Sequence, residues 1–407
     1  MEPTFGYNYS IPYIFFFSAF FILFLWENRM RKSDSNIIII RYICIVLFSF
    51  FFGLRGYMDT DFVVYYPIFE DAPVITDSAG ISNFFSGINN DYILKVEPGF
   101  KIFVILVKSI YPDYFFLQFV SSLINVLFLN YFFKKYSPQY VLSFIMFFIF
   151  SGLIIEFNLM RNSKSLFLFI YSLQFIKERN PLKFYICNII GLFFHTSAIF
   201  YFPLYFFLHK KIPQQVVWGA FIVGNILYLG QIKYITPLVT GIGDLLGGEY
   251  ALMAKFYSQD DLYSTGYGIT MGYIEKFFTF ILLYKFYDKI SEYIMDDYLT
   301  NIFYNLFFIF TLTYLFLSEY SVLIDRMTTL FVMSYWILYP YLYVNLERVF
   351  KIIFAVILFL FGIYKMLNSN NNIIRKYENI LWNQPTISRA YYILNKHLDK
   401  ILNPQKK

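Results

Sequence analysis

Long apolar runs broken by short clusters of charge set the pattern of this chain. Between Ile11 and Leu367 the runs recur almost without pause. At about 20 residues per crossing they would supply roughly ten to twelve membrane-spanning helices. The first run, Ile11–Trp26, follows a stretch from Met1 to Ser10 that carries no base, so the cationic start of a cleavable signal peptide is missing and the run is expected to remain as a span. Basic clusters flank the runs at Arg29–Lys32, Lys134–Lys135, Lys177–Lys183 and His209–Lys211, and such clusters mark the cytoplasmic side. The N-terminus is then expected outside, with Arg55, Arg161 and Arg326 at or near outer span ends. Two base-poor stretches are expected as outer loops. In the loop 55–96, after Arg55, Gly56 to Val96 hold Asp59, Asp61, Glu70, Asp71, Asp77 and Asp91 against Lys95, and residues 235–270 hold Asp244, Glu249, Asp260 and Asp261 against Lys255.

Three runs do not fit a plain crossing. The run from Glu97 to Tyr111 contains Lys101 and Lys108 and is short, which suits an interfacial or re-entrant helix buried against protein. If it does not cross, the three basic loops before it and after it fall together on the inside. The run from Leu182 to Leu208 is too long for one span and carries His195 at its midpoint, so two half-spans breaking near His195 are expected. Lys351–Leu367 sends the C-terminus outward, yet the tail 368–407 is rich in lysine and arginine, and these two signals conflict.

Composition narrows the class. Of the 407 residues 58% are hydrophobic, 24% aromatic and only 15% charged, far from the roughly 25% charged usage of soluble domains. The expectation is an all-α polytopic integral membrane protein with one transmembrane domain, 1–407, and no separate soluble domain. A formal charge of +6, dispersed in clusters beside spans, does not make a nucleic-acid surface. Cys44 and Cys187 lie inside apolar runs and read as packing residues. The glycines of Gly241–Gly248 lack the strand and helix that a dinucleotide fingerprint requires.

Ionisable groups at membrane depth cost a few kcal/mol each even on lenient insertion scales, so they point to function. Arg55, Arg161 and Arg326 are candidates for a phosphate-bearing ligand, because a guanidinium stays charged and grips phosphate oxygens in a bidentate fork. Snorkelling to the interface, or pairing with Glu156 or Asp325, is the alternative for each. His195 reads as a general base or phosphate-binding group, or as a core histidine bonded to Ser197. Asp61 is the candidate base for an attacking hydroxyl, while Asp59 and Asp61 also fit solvated turn acids or partners of Arg55. Two acids two apart suggest a metal only weakly, and no metal ligand set follows. Glu97, Tyr257 and Tyr263 are candidate glycan contacts, since rings stack on sugar faces and carboxylates accept from hydroxyls. Tyrosines of an ordinary interfacial loop give the same pattern.

Four short motifs occur in order: Gly53-Leu-Arg-Gly56 with Thr60-Asp61 and Tyr65, Glu97-Pro-Gly-Phe100, Arg161-Asn-Ser163, and Phe194-His-Thr-Ser-Ala198. Together they resemble the EpsG family of bacterial membrane proteins, which includes Wzy-type polysaccharide polymerases. The resemblance runs from about Phe50 to Phe207 and more loosely to Arg326. The family pattern usually has glycine at Asp59, tyrosine at Phe62, glutamine at Asn162 and alanine at Ser165. The resemblance implies a GT-C-like architecture in the bacterial inner membrane, with its active site facing the periplasm or exterior. It implies polymerisation of undecaprenyl-diphosphate-linked oligosaccharide repeat units into O-antigen, capsule or exopolysaccharide. A chain-length regulator is the implied protein partner, and no cofactor is needed because the diphosphate lipid is the activated donor. A transporter that flips a lipid-linked sugar is the competing class. A glycan ligase or acyltransferase acting on outer sugars is a third.

Overall fold

The computed structural model describes residues 3–30, 36–87, 91–248, 252, 268–382 and 385–402. Every regular element among them is a helix. Six helical segments are long and apolar enough to cross a membrane: Tyr7–Glu27, Asn36–Gly53, Tyr114–Tyr136, Tyr140–Phe157, Asp297–Phe316 and Arg348–Ser369. The chain is a multi-pass helical membrane protein. Fewer full-length spans are found than apolar runs. The run from Leu182 is broken at His195, and the helix Met160–Lys177 carries Arg161, Lys164 and Lys177. The chain divides into two compact units, Met1–Tyr205 with Leu346–Lys407, and Phe206–Asn345.

The first unit is built on α1 (Ile11–Glu27), α2 (Asn36–Phe48), α7 (Tyr114–Tyr136), α8 (Tyr140–Phe147) continued by α9 (Leu153–Phe157), α10 (Met160–Lys177) and α11 (Pro181–Phe194). Arg348–Ser369 packs beside α1, and Ser10 Oγ donates to Leu367 O at 2.9 Å. Hydrogen bonds fix which loops share an end. Glu27 accepts from the amides of Tyr140 and Val141 at 3.0 and 2.9 Å, so the end of α1 meets the start of α8. The loops holding Arg29, Lys134, Lys135, Lys177, Arg179 and Lys183 thus lie at one end, because each joins the same ends of antiparallel helices. At the other end gather Thr4–Gly6, Leu54–Asp61, Asn158–Asn162, His195–Ser197 and the segment after Ser369.

The two runs that sequence reading set apart behave as expected. α11 stops at Phe194, and the 3-10 helix Thr196–Phe206 turns back along it, with Tyr185 OH donating to Phe202 O at 3.3 Å. At about 1.5 Å per residue α11 covers only about 21 Å, so His195 sits at the apex of a hairpin of half-spans. The helix after Glu97, α6 (Pro98–Ile110), has 13 residues and is not among the six segments long and apolar enough to cross. Its first turn meets α10 through Glu97 and Arg161. Its last leads directly into α7, whose Tyr114 stacks on Tyr57 at 5.6 Å. With α3 (Phe62–Asp71), α4 (Ser78–Ser86) and α5 (Asp91–Leu94) it forms a small cap over the helix ends. The cap's core holds Tyr65, Phe69, Phe84, Phe100, Val104 and Leu117.

The basic tail is also placed. Gly6 N donates to Asn371 O at 2.7 Å and Ile373 N to Thr4 O at 2.9 Å, while Gly56 N donates to Glu378 O at 2.9 Å and Ile380 N to Leu54 O at 2.9 Å. The tail shares the end of the N-terminus and Arg55, as the last span predicted. Its charges do not oppose this, because Arg375 pairs with Asp59 and Arg389 with Glu378.

The second unit consists of α12 (Gln214–Leu229), α13 (Ile235–Leu246), α14 (Met271–Lys285), α15 (Tyr287–Ile294), α16 (Asp297–Phe316), α17 (Ser321–Thr329) and α18 (Met333–Asn345). Rings hold it together: Phe221 stacks on Phe280 at 3.8 Å and Tyr228 on Tyr273 at 4.6 Å. Glu319 accepts from the amides of Tyr234, Ile235 and Thr236 and so ties the start of α13.

The shared ends give a direct check in whole cells. Single cysteines at Thr196 and Leu381 should react with an impermeant maleimide from the same side of the membrane, and a cysteine at Lys134 only from the opposite side.

Candidate functional site

Directly below the loop at Arg55 lies a fully protein-enclosed polar network. Arg55 is 2% exposed, Glu156 3% and Lys164 5%. Arg55 donates from Nη1 to Phe52 O at 2.5 Å and Ser122 Oγ at 3.3 Å, and from Nη2 to Glu156 O at 2.7 Å. The Glu156 carboxylate accepts from Ser122 Oγ at 3.1 Å and Asn125 Nδ2 at 2.8 Å. Lys164 donates to Ser121 Oγ and Asn125 Oδ1, each at 2.7 Å, and to Ser121 O at 3.1 Å. The carboxylate is therefore bridged to both cations by neutral side chains of α7. Its direction is set by a break in the fourth span, where Phe150 (φ −117°, ψ 93°) and Ser151 (φ 69°) interrupt the helix before α9. Buried charges survive in this setting only when every donor and acceptor is met.

Above this floor is a second group that is only half-buried. Arg161, at the start of α10, pairs through Nη1 with Glu97 Oε2 at 2.7 Å, and it also reaches the Tyr65 hydroxyl. Thr196 N donates to Glu97 Oε1 at 3.4 Å. Glu97 precedes Pro98 at the first turn of α6, a position that proline's fixed φ suits. Gly99 lets that turn touch α11, because a Cβ there would lie 2.7 Å from Phe193 O. The Glu97-Pro-Gly motif is thus the geometry that delivers a carboxylate to Arg161.

His195 lies beside them. Ser197 N donates to His195 Nδ1 at 3.1 Å, Ser197 Oγ lies 2.8 Å from the same nitrogen, and Ser197 Oγ contacts Asn162 Oδ1 at 3.1 Å. The Nδ1 side of the ring is thus occupied by Ser197, which leaves Nε2 as the nitrogen available to a ligand.

Asp61 precedes α3, and Thr60 Oγ1 donates to its Oδ1 at 3.2 Å. Burial, with help from Asp59, pushes its carboxyl up to about 6, against the pull of Thr60 and Arg161. Asp59 turns away from it, held by Arg375 at 2.5 Å. Its φ of 63° is in the left-handed region, where the resembled pattern has glycine and where aspartate is tolerated better than most residues.

A family model now places this geometry. The EpsG family model matches residues 38–379, most of the chain. The chain belongs to the EpsG family. No curated protein and no solved structure matches it. The matched region of this EpsG protein spans both tiers and ends at Asn379, which bridges to Arg55 in the tail.

Of the residues singled out from sequence, Asp61, Glu97, Arg161 and His195 come together with Tyr65, Asn162 and Ser197. Arg55 lies in the tier below, with protein acceptors on its donors. Arg326 is exposed on α17 of the second unit, next to Asp325. Tyr257 and Tyr263 lie outside the described residues. Sequence reasoning gave no role to Lys164, Ser122 or Asn125, although a lysine in an apolar helix was a signal on the same grounds as the arginines. Nothing in the sequence pointed to Arg375.

Breaking the lower tier should unfold the unit. Glu156→Leu leaves Arg55 and Lys164 without their carboxylate, which typically costs about 3–5 kcal/mol, whereas Lys164→Met leaves Arg55 and Glu156 balanced. Glu156→Leu should lower the melting temperature of purified protein strongly, and Lys164→Met less. The double variant, with one buried cation in place of two, should lose less than the sum.

Proposed function

We propose that this EpsG-family protein polymerises polysaccharide, joining repeat units carried on a polyprenyl diphosphate at the outer face of the bacterial inner membrane. The observation that carries this reading is one half-buried cluster that holds Asp61, its carboxyl raised to about 6, and the Arg161–Glu97 ion pair. The orientation rests on the basic loops at the opposite end, since lysine and arginine mark the cytoplasmic side.

In this reading a hydroxyl on the non-reducing sugar of a new unit attacks the anomeric carbon of the growing chain. The C–O bond to the diphosphate breaks, its electrons pass to the leaving diphosphate, and the hydroxyl proton goes to Asp61. A base is best placed with a pKa close to the working pH, and a value of about 6 leaves Asp61 ionised at neutrality yet basic enough to act. Arg161 meets the charge that builds on the diphosphate, with Glu97 holding it in place until substrate arrives. His195, with Nε2 the nitrogen that Ser197 leaves open, is assigned to a phosphate or sugar oxygen. Arg55 keeps the loop and the floor in register. A cavity of about 600 Å³ beside Leu54, Phe115, Phe119 and Ile380 offers apolar room for the first isoprene units.

Purified protein supplied with lipid-linked repeat unit alone decides between polymerase and transporter. Longer products are expected from the wild type; none would leave only a carrier. Arg161→Ala should lower the rate about 10²–10³-fold, the usual cost of one preorganised donor. The wild-type rate should fall below a pH of about 6 as Asp61 takes up its proton. Asp61→Asn should abolish most activity and that limb together. An Asp61→Asn protein of normal rate and normal pH profile would remove Asp61 from the mechanism.

A further inference from the structure

The segment that follows the last span is more than a tail. From Thr4 to Asn379 the contacts form a continuous line. Ile373 N donates to Thr4 O, Asp59 N donates to Ile374 O at 2.8 Å, Gly56 N donates to Glu378 O, and Arg55 and Asn379 form an antiparallel bridge. Tyr377 stacks on Phe51 at 4.4 Å and donates from its hydroxyl to Phe51 O at 3.0 Å. Asn379 Nδ2 donates to Phe50 O at 3.2 Å. Gly56 is what allows the approach, because a Cβ there would lie 3.1 Å from Glu378 Cβ and 3.0 Å from Pro385. Beyond it, the C-terminal helix Ile387–Leu402 packs Ala390 and Leu394 against Phe62, the residue next to Asp61. Asp59, two residues before this acid, and Phe62, just after it, thus both contact the tail.

We propose that residues 370–379 are a strap over the site, and that Arg375 is a positioning residue: by holding Asp59 it fixes the direction and the charge surroundings of the loop that presents Asp61. This rests on the reading of Asp61 as the base. Asp61 faces Arg161 of α10, Tyr65 of α3, Tyr114 of α7 and Asp59 of its own loop. Asp59 faces Arg375 and His397 of the tail and Tyr13 of α1. Arg375 is held from behind, its carbonyl accepting from Tyr13 OH at 2.7 Å and its guanidinium lying 5.5 Å over the Phe157 ring. The ion pair is thus fixed from both sides. With the pair made, Arg375 offsets part of the Asp59 charge, and what remains still helps raise the Asp61 carboxyl. With Arg375 gone, a bare carboxylate stands two residues from the base, and a like charge disfavours ionisation.

Two variants pull in opposite directions. Arg375→Gln leaves Asp59 uncompensated, so the titration of Asp61 should move to higher pH by roughly half to one unit. Asp59→Asn removes the charge while keeping a residue that tolerates the left-handed backbone, so it should move the titration to lower pH. The titration is read on purified protein as the carboxyl infrared difference from Asp61→Asn, and independently as the acid limb of chain extension. Both variants should also speed proteolytic removal of the tail after residue 376. Infrared shifts in a protein that extends no substrate would keep the strap and discard the polymerase. Normal extension by the wild type, with Asp61 titration and tail proteolysis unmoved in both variants, would discard the strap. Shifts in the same direction for both variants would also overturn it, because loosening alone has no reason to distinguish them.

Discussion

Charge inside hydrocarbon has to be answered by protein, and that constraint organises the first unit. Arg55, Glu156 and Lys164 come from three different helices or their ends. Each would cost several kcal/mol if left unpaired. Ser121, Ser122 and Asn125, one face of α7, supply the bridges that make the set self-consistent. Satisfying these groups pins α2, α7, α9 and α10 to one another at one depth. The ends of those helices then have little freedom, and it is there that Arg161, Asp61 and Tyr65 stand.

The two tiers differ in what they can give up. Below, every donor is met by protein and nothing faces an open space. Above, Arg161 holds Glu97, and His195 holds Ser197, in contacts that are half-buried and can be traded for those of a ligand. A site that must seize a charged headgroup and then release it needs this second kind of contact. Its precision comes from the rigid layer beneath, and from the cap of α3 to α6 that brings Glu97 in from the side.

Much of this was legible in the sequence, and the reasons differ by element. The all-helical membrane fold followed from apolar runs alone. The break at His195 and the short helix after Glu97 followed from length, because a hairpin of half-spans and a lysine-bearing short helix each violate the arithmetic of a full crossing. Arg55, Arg161, His195 and Arg326 were expected to line one outward cavity; Arg161 and His195 do lie together, beside Asp61 and Glu97, whereas Arg55 lies in the tier below and Arg326 on α17 of the second unit. What stayed hidden was pairing over distance. Arg55 carries the same charge as Arg161, yet its donors are taken up by Phe52, Ser122 and Glu156, which no local pattern announces. The tail's basic residues argued for the end of Lys134 and Lys177, yet they lie at the end of Arg55, beside their partners Asp59 and Glu378. Asp59 itself reads as a turn acid, and only its left-handed backbone and its distant arginine give it a purpose.

The most direct test of the central claim is a structure of the purified protein with a polyprenyl-diphosphate-linked oligosaccharide bound. The diphosphate should lie within hydrogen-bonding distance of the Arg161 guanidinium, with a sugar hydroxyl directed at Asp61. A diphosphate seated at the basic end, by Lys134 and Lys177, would contradict it.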